Sequence, residues 1–282
     1  VKVIEQELVT PWEAVLLEPV GGSRTGVLVL SGSSGRVERQ RARVLAEQGC
    51  LALAIRWFGG AGQAAGICEV PLETFVAAVD LLRARGAERI CILGTSKGAE
   101  AALLTAVRDP RVDVVVALAP TSVVWGNVGP GLDGEQRPYR SSWSWRGQPL
   151  PFVPYDDSWL SADHGDGPVA IRGCYEQSER TFAADLDAAA IPVEQARADI
   201  LLVAGADDEM WPALRYAREL AARREAVGAQ VEVITRDDAG HRPRLPGEGP
   251  AAPSTVYHYG GTAEGDALLG EAAWGSILDR LG

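Results

Sequence analysis

The stretch RICILGTSKGAEAALLTAV, residues 89–107, decides how the rest of the chain is read. Arg89 to Leu93 is a short apolar run with the length and composition of a strand buried on both faces. Lys97 to Val107 is built of small and apolar residues that favour a helix. Between them stands Gly94-Thr95-Ser96-Lys97-Gly98, of the form G-x-S-x-G. In a chain with 32 glycines that pattern alone is weak. Its setting gives it meaning. A buried strand running straight into such a pentapeptide, and a helix running straight out, describe a sharp turn with serine at its apex. The serine takes a strained backbone conformation, and glycines two residues to either side let strand and helix approach closely. Its hydroxyl is then presented at a helix N-terminus, where negative charge is favoured. The plainer alternative is that Gly94 and Gly98 only turn the chain.

Working outward, the same rhythm recurs. Gly26–Leu30 (GVLVL), Leu51–Ile55 (LALAI), Val112–Leu118 (VDVVVAL), Ile200–Ala204 (ILLVA) and Val231–Thr235 (VEVIT) read as strands. Residues 36–48, 70–85, 211–227 and 263–281 read as helices. In the second of these, Leu72, Phe75, Val76, Val79 and Leu82 share one face at i, i+3, i+4 spacing. Buried strands alternating with helices predict a mainly parallel α/β sheet covered on both sides. Residues 1–20 alternate more and predict an antiparallel hairpin at the sheet edge. The rhythm breaks between about 121 and 198, too long for a plain loop. That stretch carries Trp125, Trp143, Trp145 and Trp159. It is expected to be an insertion over the C-terminal edge of the sheet, where α/β proteins bind ligands. The 282 residues are close to the roughly 250–300 that one hydrophobic core organises, so one domain spanning 1–282 is expected.

Composition excludes several classes. The net charge of −11 argues against a nucleic-acid partner, which needs a basic footprint. No run approaches the ~20 apolar residues of a membrane helix, and the N-terminus lacks a signal-peptide layout, so a cytoplasmic location is expected. Cys50, Cys68, Cys91 and Cys174 form no C-x-x-C pair, and no Cys/His cluster has zinc-ligand spacing. Free thiols, no metal and no cofactor are expected.

A serine nucleophile needs a base, and the chain has only His164, His241 and His258. In sites built on such an elbow the order along the chain is serine, acid, histidine. His164 precedes every late acid, so order counts against it. His241 follows the strand VEVIT closely, in Asp238-Ala239-Gly240-His241; His258 follows too, but inside a long Gly/Pro-rich loop. The acid is expected just after ILLVA, where Asp207 and Asp208 are adjacent. Asp208 stands three residues past the strand-ending glycine, and Asp207 is the alternative, better suited to capping the turn. The oxyanion needs backbone N–H donors. Lys97, directly after the serine, supplies one. The loop Ser31–Gly35 supplies the other, from Ser33 or, second, Ser34.

The motif GTSKGAE (94–100), with its lysine after the serine, resembles the elbow of the acyl-CoA thioesterase / bile acid-CoA:amino acid N-acyltransferase family, of the α/β-hydrolase superfamily. IPVEQARADILLVAGADDEMW (191–211) resembles that family's acid-bearing segment. AGH (239–241) and YGGTAEGDALLGEAAW (259–274) are similar to its histidine loop and last helix. NVG (127–129) with RGQPLP (146–151) resembles its insertion. The resemblance implies an α/β-hydrolase fold with a lid-like insertion, with Ser96 as nucleophile, Asp208 as acid and His241 as base. The resemblance starts at the hydrolase domain, so the β-sandwich domain that animal members carry before it is not expected to contribute within these residues. The bile-acid-conjugating branch uses a cysteine nucleophile; serine at position 96 favours water as acceptor.

The expected activity is therefore hydrolysis of an acyl thioester, CoA- or carrier-linked, or of an ester, through an acyl-enzyme. Transfer of the acyl group to an amine or hydroxyl is the alternative, and a non-catalytic binding protein on the same fold is a third reading. The four tryptophans of the insertion are expected either to line an acyl site or to pack the insertion onto the core. Arg137, Arg140, Arg146 and Arg172 are expected to form a solvated face or to hold phosphates.

Overall fold

A computed structural model of the chain describes residues 1–161 and 167–282; His164 lies outside the described residues. The strands are β1 (Val3–Leu8), β2 (Ala14–Pro19), β3 (Thr25–Leu30), β4 (Leu51–Ile55), β5 (Val70–Pro71), β6 (Arg89–Thr95), β7 (Val114–Leu118), β8 (Trp143–Trp145), β9 (Gln148–Pro149), β10 (Asp199–Gly205) and β11 (Val231–Arg236). The helices are α1 (Arg39–Glu47), α2 (Glu73–Ala84), α3 (Lys97–Arg108), α4 (Arg172–Thr181), α5 (Leu186–Ala189), α6 (Ala213–Ala226) and α7 (Ala263–Leu281).

Eight strands form the main sheet in the order β1-β2-β4-β3-β6-β7-β10-β11. β2 is antiparallel to β1 and β4, and every other neighbouring pair is parallel. This is the α/β-hydrolase fold. The apolar runs form the central strands because both of their faces are covered. Alternate residues of β6 show it: Ile90 and Ile92 pack with α2, α3 and α6, while Cys91 and Leu93 pack with α1 and α7. The edge hairpin forms as expected. β1 exposes Glu5, Gln6 and Glu7, and charge on an edge strand discourages further pairing; Glu5 instead pairs with Arg39 and Arg43 of α1.

Two helix predictions need adjusting. α1 starts at Arg39 rather than near 36. Residues 70 and 71 leave the expected helix to form β5, which pairs with β8 in a second, three-stranded sheet with β9. On α2, Phe75, Ala78, Val79 and Leu82 are buried, while Val76 is only half-buried. The segment from about 121 to 198 contains β8, β9, α4 and α5. It is tied to the main body through isolated bridges such as Ile67 to Val128 and Val169 to Tyr257, while Val123 to Ala190 closes the segment on itself. Helix α7 is capped by Thr262, whose side chain accepts from the Gly265 N–H.

Candidate active site

Ser96 stands at the junction of β6 and α3 with φ 57° and ψ −122°. A non-glycine residue there carries strain of order 1–3 kcal/mol. The surroundings enforce it. A Cβ on Gly94 would lie 2.1 Å from the carbonyl oxygen of Gly98, and one on Gly98 would lie 2.4 Å from that of Ser31. The Ser96 N–H donates to Leu118 O at the end of β7. The expected turn is thus present, and it needs both glycines.

Asp208 follows β10 and His241 follows β11, so both reach the elbow from the C-terminal edge of the sheet, as ligand-binding groups do in open α/β sheets. His241 Nε2 lies 2.9 Å from Ser96 Oγ, and His241 Nδ1 lies 2.7 Å from Asp208 Oδ2. Asp208 is fully buried and His241 nearly so. The other carboxylate oxygen of Asp208 accepts from the N–H groups of Met210 (2.8 Å) and Trp211 (3.2 Å), which fixes its direction. The acid turn and the histidine loop also hold each other. Asp207 N donates to Ala239 O, Asp207 Oδ2 accepts from Gly261 N, and His241 N donates to Tyr259 O. Asp207 thus stitches the loop and takes no part in the histidine contact. His258 is exposed, and its Nδ1 accepts from Gly260 N at 3.3 Å, away from the serine.

Asp266, in the first turn of α7, accepts from the Gly240 N–H at 2.8 Å and so anchors the residue before His241. Burial pushes its carboxyl up to about 6, against the opposing effect of that hydrogen bond. The sequence reading missed this residue, although it lies in the quoted stretch 259–274.

Two cavities meet at Ser96 and His241. The smaller, about 50 Å³, is lined by Ser33, Lys97, Tyr175 and Trp211 among others. The larger, about 430 Å³, runs past α1 and the loop after His241. No backbone partner among the described residues takes the N–H of Lys97 or Ser33. Ser34 lines the larger cavity only.

The side chain of Lys97 turns away from the chemistry. Its ammonium donates to Glu100 Oε2 at 2.6 Å, and both groups are buried. Glu100 Oε1 accepts from the Trp125 N–H (3.1 Å) and the Trp143 indole N–H (2.8 Å). Burial pushes the Lys97 ammonium below its ordinary pKa, and Glu100 opposes that shift.

Trp125, Trp143, Trp145 and Trp159 are expected either to line an acyl site or to pack onto the core, and their positions fit the second alternative. None of the four lines either cavity at Ser96. Trp125 and Trp143 are fully buried, because their indole N–H groups find interior acceptors, Thr121 Oγ1 and Glu100 Oε1. Trp145 lies under the Arg146 guanidinium, and Trp159 packs against Gly173 of α4. The tryptophan that does reach the site is Trp211, whose ring meets His241 edge-on at 5.4 Å. Of the arginines singled out between residues 121 and 198, Arg137 pairs with Asp157, Arg140 with Glu69 and Arg172 with Glu176. The larger cavity is instead lined by Arg36, Arg39, Arg41, Arg242 and Arg244. Arg41 holds Glu248 through two bonds of 2.6 and 2.9 Å and also donates to Thr95 Oγ1, beside the serine.

A family model described as "BAAT / Acyl-CoA thioester hydrolase C terminal" matches residues 70–281, about three quarters of the chain. The chain belongs to this family. Among curated relatives it is 25% identical to the acyl-coenzyme A amino acid N-acyltransferase 2 of Rattus norvegicus, over 81% of this chain and 51% of that protein. It is also 25% identical to the mitochondrial acyl-coenzyme A thioesterase 2 of Mus musculus, over 80% of this chain and 47% of that one. The family member described here thus spans about half the length of these relatives. Among solved structures, a Klebsiella pneumoniae protein assigned as a dienelactone hydrolase superimposes with a TM-score of 0.61 at 16% identity, covering 100% of this chain and 99% of that one. The Pyrococcus furiosus esterase Pf2001 gives 0.52 at 15% identity, over 85% and 84%. At these identities the likeness is one of fold.

Among the described residues no helix is long and apolar enough to cross a membrane, and no group of three or more His, Cys, Asp or Glu side chains is placed to hold a metal ion.

Proposed function

We propose that this chain is a serine-dependent acyl thioesterase working through an acyl-enzyme. The observation that carries the reading is the hydrogen-bonded series Ser96–His241–Asp208 at a strained elbow, in a chain of the acyl-CoA thioester hydrolase family. In this reading Ser96 Oγ attacks the thioester carbonyl carbon while His241 Nε2 takes its proton. Asp208, pinned by two backbone N–H groups, holds the imidazole in the tautomer whose Nε2 is free to accept. The carbonyl oxygen becomes an oxyanion and accepts from the Lys97 and Ser33 N–H groups. The C–S bond breaks, and the leaving thiolate takes the proton from His241. Water, giving a proton to His241, attacks the ester carbon, and collapse returns that proton to Ser96 and frees the carboxylic acid.

The substrate class is an acyl thioester on CoA or on a carrier's pantetheine arm; the names of the two mammalian relatives support an acyl-CoA. The rat relative's name also favours a second reading, transfer to an amine. We read residues 1–282 as one domain with an insertion at 121–198, working in the cytoplasm, in keeping with four free cysteines. Incubation with a fluorophosphonate should label Ser96, and acyl-CoA should yield free acid and CoA thiol. Failure of the folded protein to label would overturn the reading. Exclusive formation of amide, with amine present and no free acid without it, would replace it by the transferase.

A further inference from the structure

The two cavities that meet at Ser96 differ in size and chemistry. The smaller, about 50 Å³, is walled by Val128, Ile171, Tyr175, Met210, Trp211 and Tyr257. At roughly 10–15 Å³ for each water-sized group it holds about four such groups. Its back wall is fixed. Tyr175 and Trp211 are 7% and 2% exposed, and their rings meet edge-on at 5.4 Å. Behind Tyr175 stands Trp125, ring to ring at 4.7 Å and fully buried. A long chain cannot continue past these rings without displacing interior aromatics.

The larger cavity, about 430 Å³, adds charged groups to apolar walls such as Val37, Pro243 and Pro250. Five arginines face two glutamates, Glu38 and Glu248, along its walls, in a chain whose net charge is −11. Arg36, Arg39 and Arg41 are engaged by glutamates. Arg242 and Arg244, just past His241, meet no carboxylate within ion-pair reach among the described residues. The Arg242 guanidinium lies over the Tyr259 ring at 4.1 Å and gives one bond to Ala252 O. Arg244 gives one bond to Glu248 O. Each retains guanidinium N–H groups for an anion, and phosphate is the anion that such a fork suits best.

Resting on the thioesterase reading, we infer that the site is built for a short acyl group on a phosphate-bearing arm. An acyl chain of about two to four carbons occupies the recess under Tyr175 and Trp211, and the phosphates of the leaving arm occupy the cleft at Arg242 and Arg244. Acyl length is set by Tyr175, and recognition of the arm by the two arginines.

The test is a chain-length series of acyl-CoAs from C2 to C16, run beside the corresponding phosphate-free acyl-pantetheines and a C4-acylated carrier protein. For the CoA esters, kcat/KM should peak at C2–C4 and fall at least 100-fold by C8. Removing the phosphates should cost at least 10-fold, chiefly in KM. Arg244→Gln should narrow the gap between CoA and pantetheine esters. Tyr175→Ala should raise octanoyl turnover relative to butyryl by at least 10-fold; should that variant not fold, Ile171→Ala should move the same ratio upward. Faster turnover of the carrier-bound ester than of the CoA ester would support the same phosphate site with a carrier as the source. A wild-type optimum at C8 or longer, or equal KM for CoA and pantetheine esters, would overturn the inference while leaving the thioesterase reading intact. No hydrolysis at any length, with Ser96 unlabelled by fluorophosphonate, would overturn both.

Discussion

Lys97 is one of only two lysines in the chain, and it directly follows the candidate nucleophile, yet its ammonium is buried against Glu100 at 2.6 Å. Lys97→Met keeps the side-chain length and the backbone N–H while removing the charge. Glu100 then keeps its bonds from Trp125 and Trp143 but becomes a buried charge without its counter-ion. Breaking a buried pair in this way costs about 3–5 kcal/mol. At about 2–4 °C per kcal/mol for chains near this size, the melting temperature should fall by on the order of 10 °C. Glu100→Gln alone should cost somewhat less, because burial already lowers the Lys97 pKa and the amine can shed its proton. The double variant has no buried charge, and its glutamine carbonyl can still accept from both tryptophans. It should recover to within about 1.5 kcal/mol of the wild type, as apolar replacements of buried pairs often do. The assay is a double-mutant cycle by urea denaturation, with kcat/KM measured where every variant is folded. Turnover per folded molecule should change by less than about threefold, since an effect above about 0.6 kcal/mol on the barrier is not expected from a side chain pointing away from the site. A stable but inactive Lys97→Met would refute the reasoning and move the lysine into the chemistry. A double variant as unstable as either single one would refute the pairing.

Three further outcomes follow from the site. Ser96→Ala and His241→Ala should each lower kcat by on the order of 10⁶, and Asp208→Asn by about 10⁴, through loss of the nucleophile, the base and the correct tautomer; His258→Ala and His164→Ala should leave most turnover, and steady-state kinetics checks all five. Asp266→Asn keeps the acceptor for the Gly240 N–H but cannot ionise. Burial raises the wild-type carboxyl to about 6, so its ionisation costs stability, and the wild type should weaken relative to the asparagine variant as pH rises from about 4 to about 6; equal urea midpoint differences at about pH 4 and about pH 7 would contradict this. Arg41→Met leaves Glu248 nearly buried without its partner and should cost about 3–5 kcal/mol in unfolding free energy, measured by denaturant titration.

Much of this was legible in the sequence, for physical reasons that are specific to the elements concerned. Strands β3, β4, β6, β7 and β10 are buried on both faces, so each appears as an unbroken apolar run that hardly any other element produces. The order of serine, acid and histidine, with three histidines in the chain, left few assignments to choose among. What failed depends on tertiary contacts that leave no periodic trace. β5 is two residues long and exists because β8 lies beside it. Arg41, on a helix of ordinary amphipathic composition, is distinguishable from its neighbours Arg39 and Arg43 only by the arrival of Glu248 from 207 residues away.

The tryptophans are the instructive case. Four of them between residues 121 and 198 are compatible with an apolar binding surface or with packing onto the core, and an indole, being amphipathic, favours a buried place where its N–H finds an acceptor. Glu100, on the inner face of α3 and one turn past Ser96, supplies that acceptor for Trp143 and also takes the Trp125 backbone N–H. Its second oxygen is committed to Lys97. Trp125 and Trp143 are therefore keyed to helix α3, which begins just after Ser96, by the buried Lys97–Glu100 pair. This arrangement couples the elbow to the walls of the small recess. Trp125 backs Tyr175, Tyr175 backs Trp211, and Trp211 meets the ring of His241. The ring contacts thus run without a break from Trp125 to the candidate base, and the kinetics of the Lys97→Met variant test whether a change in the buried pair stays confined to stability, as predicted above.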